Sequence, residues 1–97
     1  MRTRQFQTTH ECEIFGYLYE SDHPEELGED MLAISLPNGL SIDVGWWPEG
    51  SANGSYRIAV RSGMELIRDV SAITLDEVVQ TLPRLIRDYS NSYYVVS

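Results

Sequence analysis

The chain has 97 residues, of which 42% are apolar, and a formal net charge of −8. This size and apolar fraction fit a single domain over residues 1–97 with one modest core, and they argue against global disorder. All seven basic residues are arginine against fifteen acids, and a surface of that sign repels phosphate backbones, so we expect no nucleic-acid binding.

The cysteine content and the hydropathy of the chain predict its cellular compartment. Cys12 is the only cysteine, so no disulfide can form within the chain, which is typical of a reducing compartment. Residues 1–10 lack the apolar run of a secretory signal, and no stretch approaches the roughly 20 apolar residues that span a bilayer. We therefore expect a cytoplasmic protein with no membrane association.

The N-terminal third holds most of the negative charge. Residues 1–30 contain eight acids and two arginines, net −6, whereas residues 31–97 contain seven acids and five arginines, net −2. Residues 20–30 are polar, include Pro24 and Gly28, and are predicted to form a loop. Before it, Thr8–Glu11 could cap a helix, but the aromatic and branched residues of 11–19 favour a strand.

A hairpin is the clearest structural signal in the chain. Apolar residues alternate with small or polar ones on both sides of Pro37-Asn38-Gly39, as expected for strands with one buried face. A two-residue Asn38-Gly39 turn would place apolar residues opposite polar ones. A three-residue loop pairs Ile34 with Ile42 and Leu32 with Val44, so this register is predicted. It directs Trp46 inward and Trp47 outward.

Two further strands and a helix follow. Residues 56–61 alternate like the hairpin, and residues 65–70 are predicted as an edge strand whose register sets Arg61 opposite Glu65 and Arg57 opposite Asp69. Thr74 and Glu77 have the spacing of a capping box. The helix that they begin has one apolar face, and Pro83 inside it predicts a kink. Residues 93–96 are either a short strand or a tail.

The predicted fold class is therefore α+β. An antiparallel meander of about four strands, with residues 11–19 as a candidate fifth, packs against one C-terminal amphipathic helix. An uncovered sheet edge leaves a homodimer open as one assembly.

No motif commits the chain to a reaction or a cofactor. His10, Cys12 and His23 do not have the spacing of a zinc site, and no fourth ligand accompanies them. Cys12 has no complete set of catalytic partners. The loop at 48–54 has glycines but no lysine and no helix start to cradle a phosphate. These residues favour a non-catalytic protein without a metal or cofactor.

The candidate binding residues are Trp47, Asp43, Glu49 and Tyr56, all on or beside the 48–54 loop or the outer strand face. An exposed tryptophan at the mouth of a loop is typical of an interface anchor. The alternative is that Trp47 packs under the N-terminal segment.

The segment Ile42-Asp-Val-Gly-Trp-Trp-Pro-Glu-Gly50, with the strand and helix after it, is similar to small bacterial proteins of toxin-immunity type. The resemblance covers about half of the chain and carries no residue-specific roles. The negative charge, the small size, the lack of a catalytic motif and the Trp47 loop favour an acidic protein-interaction module, an inhibitor or immunity-type protein that binds a basic partner, and the resemblance agrees with this hypothesis. The alternative is a small-molecule or enzymatic pocket between loops 20–30 and 48–54, with Asp43 or Glu49 as the acting acid.

Overall fold

The computed structural model describes residues 2–90. They form a five-stranded antiparallel sheet, a two-stranded sheet and one C-terminal helix. In chain order the elements are β1 (Arg2–Arg4), β2 (Glu13–Gly16), β3 (Leu18–Glu20), a 3₁₀ turn (Pro24–Glu26), β4 (Leu32–Ser35), β5 (Leu40–Trp47), β6 (Ser55–Ser62), β7 (Glu65–Ala72) and α1 (Leu75–Ser90). The larger sheet has the order β2-β4-β5-β6-β7, and β1 pairs with β3. The predicted fold class is confirmed, and the segment predicted at 93–96 lies outside the described residues.

The β4–β5 hairpin has the predicted register. Leu32 lies opposite Val44 and Ile34 opposite Ile42. The loop closes with hydrogen bonds from the Leu36 amide to the Leu40 carbonyl and from the Gly39 amide to the Leu36 carbonyl. Gly39 has a φ of 91°, a conformation that favours glycine. The Asn38 side chain also donates to the Tyr89 carbonyl at 2.7 Å, so the hairpin tip holds the last turn of the helix.

The core lies between the helix and one face of the larger sheet, here called the inner face. Buried side chains of β4, β5 and β6 alternate toward it, and the helix contributes five buried residues, Leu75, Val78, Leu82, Leu85 and Ile86. The helix begins as predicted, since the Glu77 amide donates to Thr74 Oγ1 at 3.2 Å. Pro83 lies inside the helix at an exposed position, and the kink there stays a prediction. No helix among residues 2–90 is long and apolar enough to cross a membrane.

The N-terminal residues form strands, as their composition favoured, but in two pieces. β2 joins the larger sheet beside β4, and β3 pairs with β1 in the smaller sheet. The Tyr56 hydroxyl donates to the Tyr19 carbonyl at 2.7 Å, and Arg4 binds Asp76 at 2.8 Å. The smaller sheet is therefore tied to both β6 and the start of the helix.

The predicted register of the last two strands is wrong. Glu65 lies opposite Ser62 rather than Arg61, and Asp69 lies opposite Ala59 rather than Arg57. The register shifts beside Arg61, so that Ile67 becomes an extra residue on β7. This bulge lets Ile67 pack against the core and places Val70 opposite Ile58, where the simple register would have put Arg68. Arg68 lies opposite Val60 and is exposed.

One close backbone approach shapes the opposite, outer face of the sheet. Residues 28–31 run along β5: the Trp46 amide donates to the Gly28 carbonyl at 2.8 Å, and the Met31 amide to the Val44 carbonyl at 3.0 Å. Glu29 and Asp30 therefore bulge over Gly45. A Cβ at Gly45 would lie 1.6 Å from the Glu29 carbonyl oxygen, so only glycine fits there.

We predict that Gly45→Ala lowers the free energy of unfolding by about 1–3 kcal/mol or more, because the 28–31 backbone must move away from β5. Urea unfolding would measure the loss. Gly28→Ala is the matched control in the same crossing, since its Cβ meets only the flexible Glu49 carboxylate at 3.2 Å. Equal losses in the two variants would contradict the assigned close approach.

Candidate functional site

The two adjacent tryptophans of β5 point to opposite faces of the sheet. Trp46 is on the inner face and 5% exposed, whereas Trp47 is on the outer face and 47% exposed. Because successive side chains of a strand alternate, the burial of Trp46 holds Trp47 on the surface. The alternative in which Trp47 packs under the N-terminal segment is therefore wrong.

Trp46 joins both loops that flank Trp47. Its indole Nε1 donates to the Ser51 carbonyl at 2.8 Å, and its backbone amide donates to Gly28. Its ring also meets the Tyr56 ring edge-on, with centroids 5.1 Å apart. Trp46 thus acts from the core to position the segments on either side of the exposed tryptophan.

Arg57 holds Trp47 from the neighbouring strand. Its directly opposed residues, Gly45 and Ser71, are small, so the guanidinium extends diagonally. On one side its Cζ lies 5.7 Å from the centroid of the Trp47 ring, within cation–π range. On the other side it binds Asp69 through both carboxylate oxygens, with Nε 3.1 Å from Oδ1.

This ion pair changes the titration of both groups. The hydrogen bond with Arg57 holds the pKa of the Asp69 carboxyl below its usual value, and the same bond raises the pKa of Arg57. The Arg57–Asp69 pair was predicted from the sequence and forms, although diagonally rather than between opposed residues. Asp69, Arg57 and Trp47 make a chain of contacts across β7, β6 and β5.

An open groove of about 480 Å³, here called the Trp47 groove, runs along the outer face. Gly45, which the Glu29 backbone covers, and the small residue Ala59 are among its lining residues. The polar and aromatic side chains along it are Glu29, Asp30, Asp43, Trp47, Arg57 and Arg61.

The charges of the groove are unevenly paired. Arg61 Nε lies 3.3 Å from Asp43 Oδ2, and Arg57 is bound to Asp69. Neither Glu29 nor Asp30 has a hydrogen bond or ion pair within residues 2–90. The prediction that Arg61 faces Glu65 is wrong, and its partner is the candidate residue Asp43. The unpaired charge in the groove is consequently negative.

The structure brings together some of the candidate residues and separates others. Trp47 and Asp43 share the groove. Glu49 is exposed in the 48–54 loop, next to Gly28. Tyr56 is buried on the inner face, and burial raises the pKa of its hydroxyl. Tyr56 thus contacts the Trp46 ring on the inner face and does not line the groove.

Sequence reasoning missed the contribution of Glu29 and Asp30. They lie in the acidic segment that was interpreted as a loop, and nothing in their composition distinguishes them from the other acids of residues 20–30. Gly45 inside a strand was the available signal, because a glycine there often marks a close backbone approach.

The cysteine and the two histidines, Cys12, His10 and His23, do not line the groove. Cys12 is half-buried against the core, and burial raises the pKa of its thiol, which disfavours the reactive thiolate. Within residues 2–90 no group of three or more His, Cys, Asp or Glu side chains is placed to hold a metal ion.

Comparison of the chain with protein-family models, with curated proteins and with solved structures found no match. The site is therefore interpreted from its own residues and their geometry.

We predict that Asp69→Asn lowers the free energy of unfolding at pH 7 by about 1 kcal/mol or less, as is usual for a partly exposed ion pair. The folded-state pKa of Asp69 lies below its unfolded value, so the stabilisation is fully present above the ordinary carboxyl pKa of about 3.9 and is lost as pH falls through the folded value. Urea unfolding of both proteins at neutral and acidic pH would measure this. A difference that persists undiminished in acid would contradict the pairing.

Proposed function

We propose that this chain is a non-catalytic, acidic protein-interaction module that binds a basic protein partner, in the manner of an inhibitor or immunity protein. The observation that carries the proposal is the outer face of the sheet, where Trp47 is half exposed yet held in place by Arg57. A rigid aromatic side chain of this kind supplies contact area at low entropic cost, which is typical of interface anchors.

The charge distribution supports a basic partner. The net charge of −8 attracts a cationic protein at long range and raises the association rate at low salt. A reducing, cytoplasmic location belongs to the same proposal.

The enzymatic alternative has less support from the geometry. A catalytic carboxylate is usually set in an enclosed, apolar or strongly polarised environment. Asp43 lies on an open face and is paired with Arg61, and Glu49 is exposed on its loop. The enzymatic alternative expects a pocket between loops 20–30 and 48–54. These loops contact each other directly, through a hydrogen bond from the Gly50 amide to the Leu27 carbonyl.

We predict that Trp47→Ala weakens binding to the partner about 30-fold or more, the loss expected for a central aromatic anchor. The chain is immobilised, exposed to a lysate of the source cells, and each captured protein is identified, purified and titrated by calorimetry against wild type and variant. A supporting partner is basic and loses affinity for the variant.

The matched control is Met64→Ala. Met64 is 97% exposed in the β6–β7 turn, at the opposite end of the sheet from Trp47, so its removal should change affinity less than about twofold. Circular dichroism should be the same for all three proteins. Capture that is unaffected by Trp47→Ala, or an acidic partner, would count against the proposal.

A further inference from the structure

Within residues 2–90, the larger sheet offers a partner two edges and one face. The helix covers the inner face of the sheet. The β7 edge carries a bulge at Ile67 and charged residues on both sides of it, and the β2 edge is only four residues long. Bulges, charges and short strands all discourage pairing with another strand. The outer face, by contrast, has no helix on it and presents the Trp47 groove.

The pairing of charges selects what can enter that groove. Both arginines of the groove already have carboxylate partners, Asp43 and Asp69. An acidic group entering the groove would have to compete with those carboxylates and would meet the unpaired Glu29 and Asp30. A cationic group meets two carboxylates that have no partner among residues 2–90, so the complementary occupant is positively charged.

The shape of the groove favours one kind of cationic group, a guanidinium, over an ammonium. Ala59 is the small residue that lines the groove beside the charged side chains, the Glu29 backbone covers Gly45, and the Trp47 ring offers an aromatic surface at one end. A guanidinium is planar, stacks on aromatic rings and binds carboxylates through two parallel hydrogen bonds, whereas an ammonium is a compact and strongly hydrated charge. The Trp47 ring already has one guanidinium beside it, that of Arg57.

The geometry points to the Trp47 groove as a receptor for an arginine side chain of the partner, bound between the Trp47 ring and the carboxylates of Glu29 and Asp30. This inference rests on the proposed function and states which chemical group of the partner the groove binds. Arg57 is a positioning residue, since it orients the Trp47 ring and is itself held by Asp69.

The backbone crossing at Gly45 makes the two carboxylates part of the site. Because Glu29 and Asp30 bulge over β5 between two backbone hydrogen bonds, their Cα positions are fixed relative to Trp47. The acids of residues 20–26 have other contacts: Glu20 and Asp22 bind Arg2, Glu25 lies 3.6 Å from His23, and Glu26 accepts from Ser21. An arginine probe should therefore distinguish this acidic pair from the rest of the acidic segment.

The test uses blocked hexa-arginine and hexa-lysine peptides at low salt, titrated into ¹⁵N-labelled protein and followed by NMR. The expected result is that hexa-arginine shifts the Trp47 indole signal and the amide signals of Glu29 and Asp30. Hexa-lysine should bind several-fold more weakly, because an ammonium cannot make the stacked, bidentate contacts. Shifts centred on residues 20–26 instead, or equal affinity for the two peptides, would overturn the assignment.

Two double variants separate the site from net charge. Glu29→Gln with Asp30→Asn removes two charges from the groove. Glu11→Gln with Glu65→Gln removes two charges elsewhere that have no ion pair within the described part of the chain, so both proteins go from −8 to −6. The first pair should weaken hexa-arginine binding about tenfold, equivalent to 1.4 kcal/mol, and the second less than about twofold. Equal weakening would mean that the peptide senses only total charge, and the inference would fail.

The same variants keep this inference separate from the proposed function. If a purified basic partner depends on Trp47 but not on Glu29 and Asp30, the arginine receptor is wrong and the interaction role stands. If hexa-arginine binds at the groove but no basic protein partner is captured, the interaction role fails while the local chemistry is supported.

Discussion

The alternation of side chains along β5 is the constraint on which the rest of this molecule depends. Ile42, Val44 and Trp46 face the helix, so Asp43, Gly45 and Trp47 must face the other way. A slip of one residue would exchange the two sets and place a carboxylate in the core. The register that protects the core therefore also determines which residues are presented on the outer face.

The outer face is organised by pairs that cross the sheet diagonally. Small residues directly opposite Arg57 allow its side chain to reach Trp47 and Asp69 on either side, and Arg61 reaches Asp43 in the same way. Each pair contributes little to stability at a partly exposed site. Their larger effect is on orientation, because a ring that is already held loses less entropy when a partner contacts it.

The sequence predicted the parts of the fold that depend on period and on local chemistry. Alternation around Pro37–Gly39 predicted the hairpin register and the opposite directions of Trp46 and Trp47, and the Thr74–Glu77 spacing predicted the helix start. The bulge at Ile67 was not predicted, because it depends on tertiary packing of that side chain, although the poor fit of Arg68 in a simple register was a sign of it. β1 was not predicted from the sequence, because its three residues are polar and exposed and so carry no alternating apolar pattern.

Only the site residues that lie together on one strand could be predicted from the sequence. Trp47 and Asp43 share a face of β5 and were recognised together. Glu29 and Asp30 reach them through a crossing that depends on the missing side chain of Gly45, and the pairing of Arg61 with Asp43 depends on a diagonal between strands. Such contacts join segments far apart in the chain, so the residue pattern within one segment does not predict them.

The two neighbouring indoles also differ in their optical properties, because one lies in an apolar interior with its Nε1 bonded to Ser51 and the other faces solvent beside a guanidinium. The emission of Trp46 should be shifted to the blue and protected from acrylamide, while that of Trp47 should be shifted to the red and readily quenched. A single chain thus carries a reporter of the state of its core and a reporter of the occupancy of its outer face, one peptide bond apart.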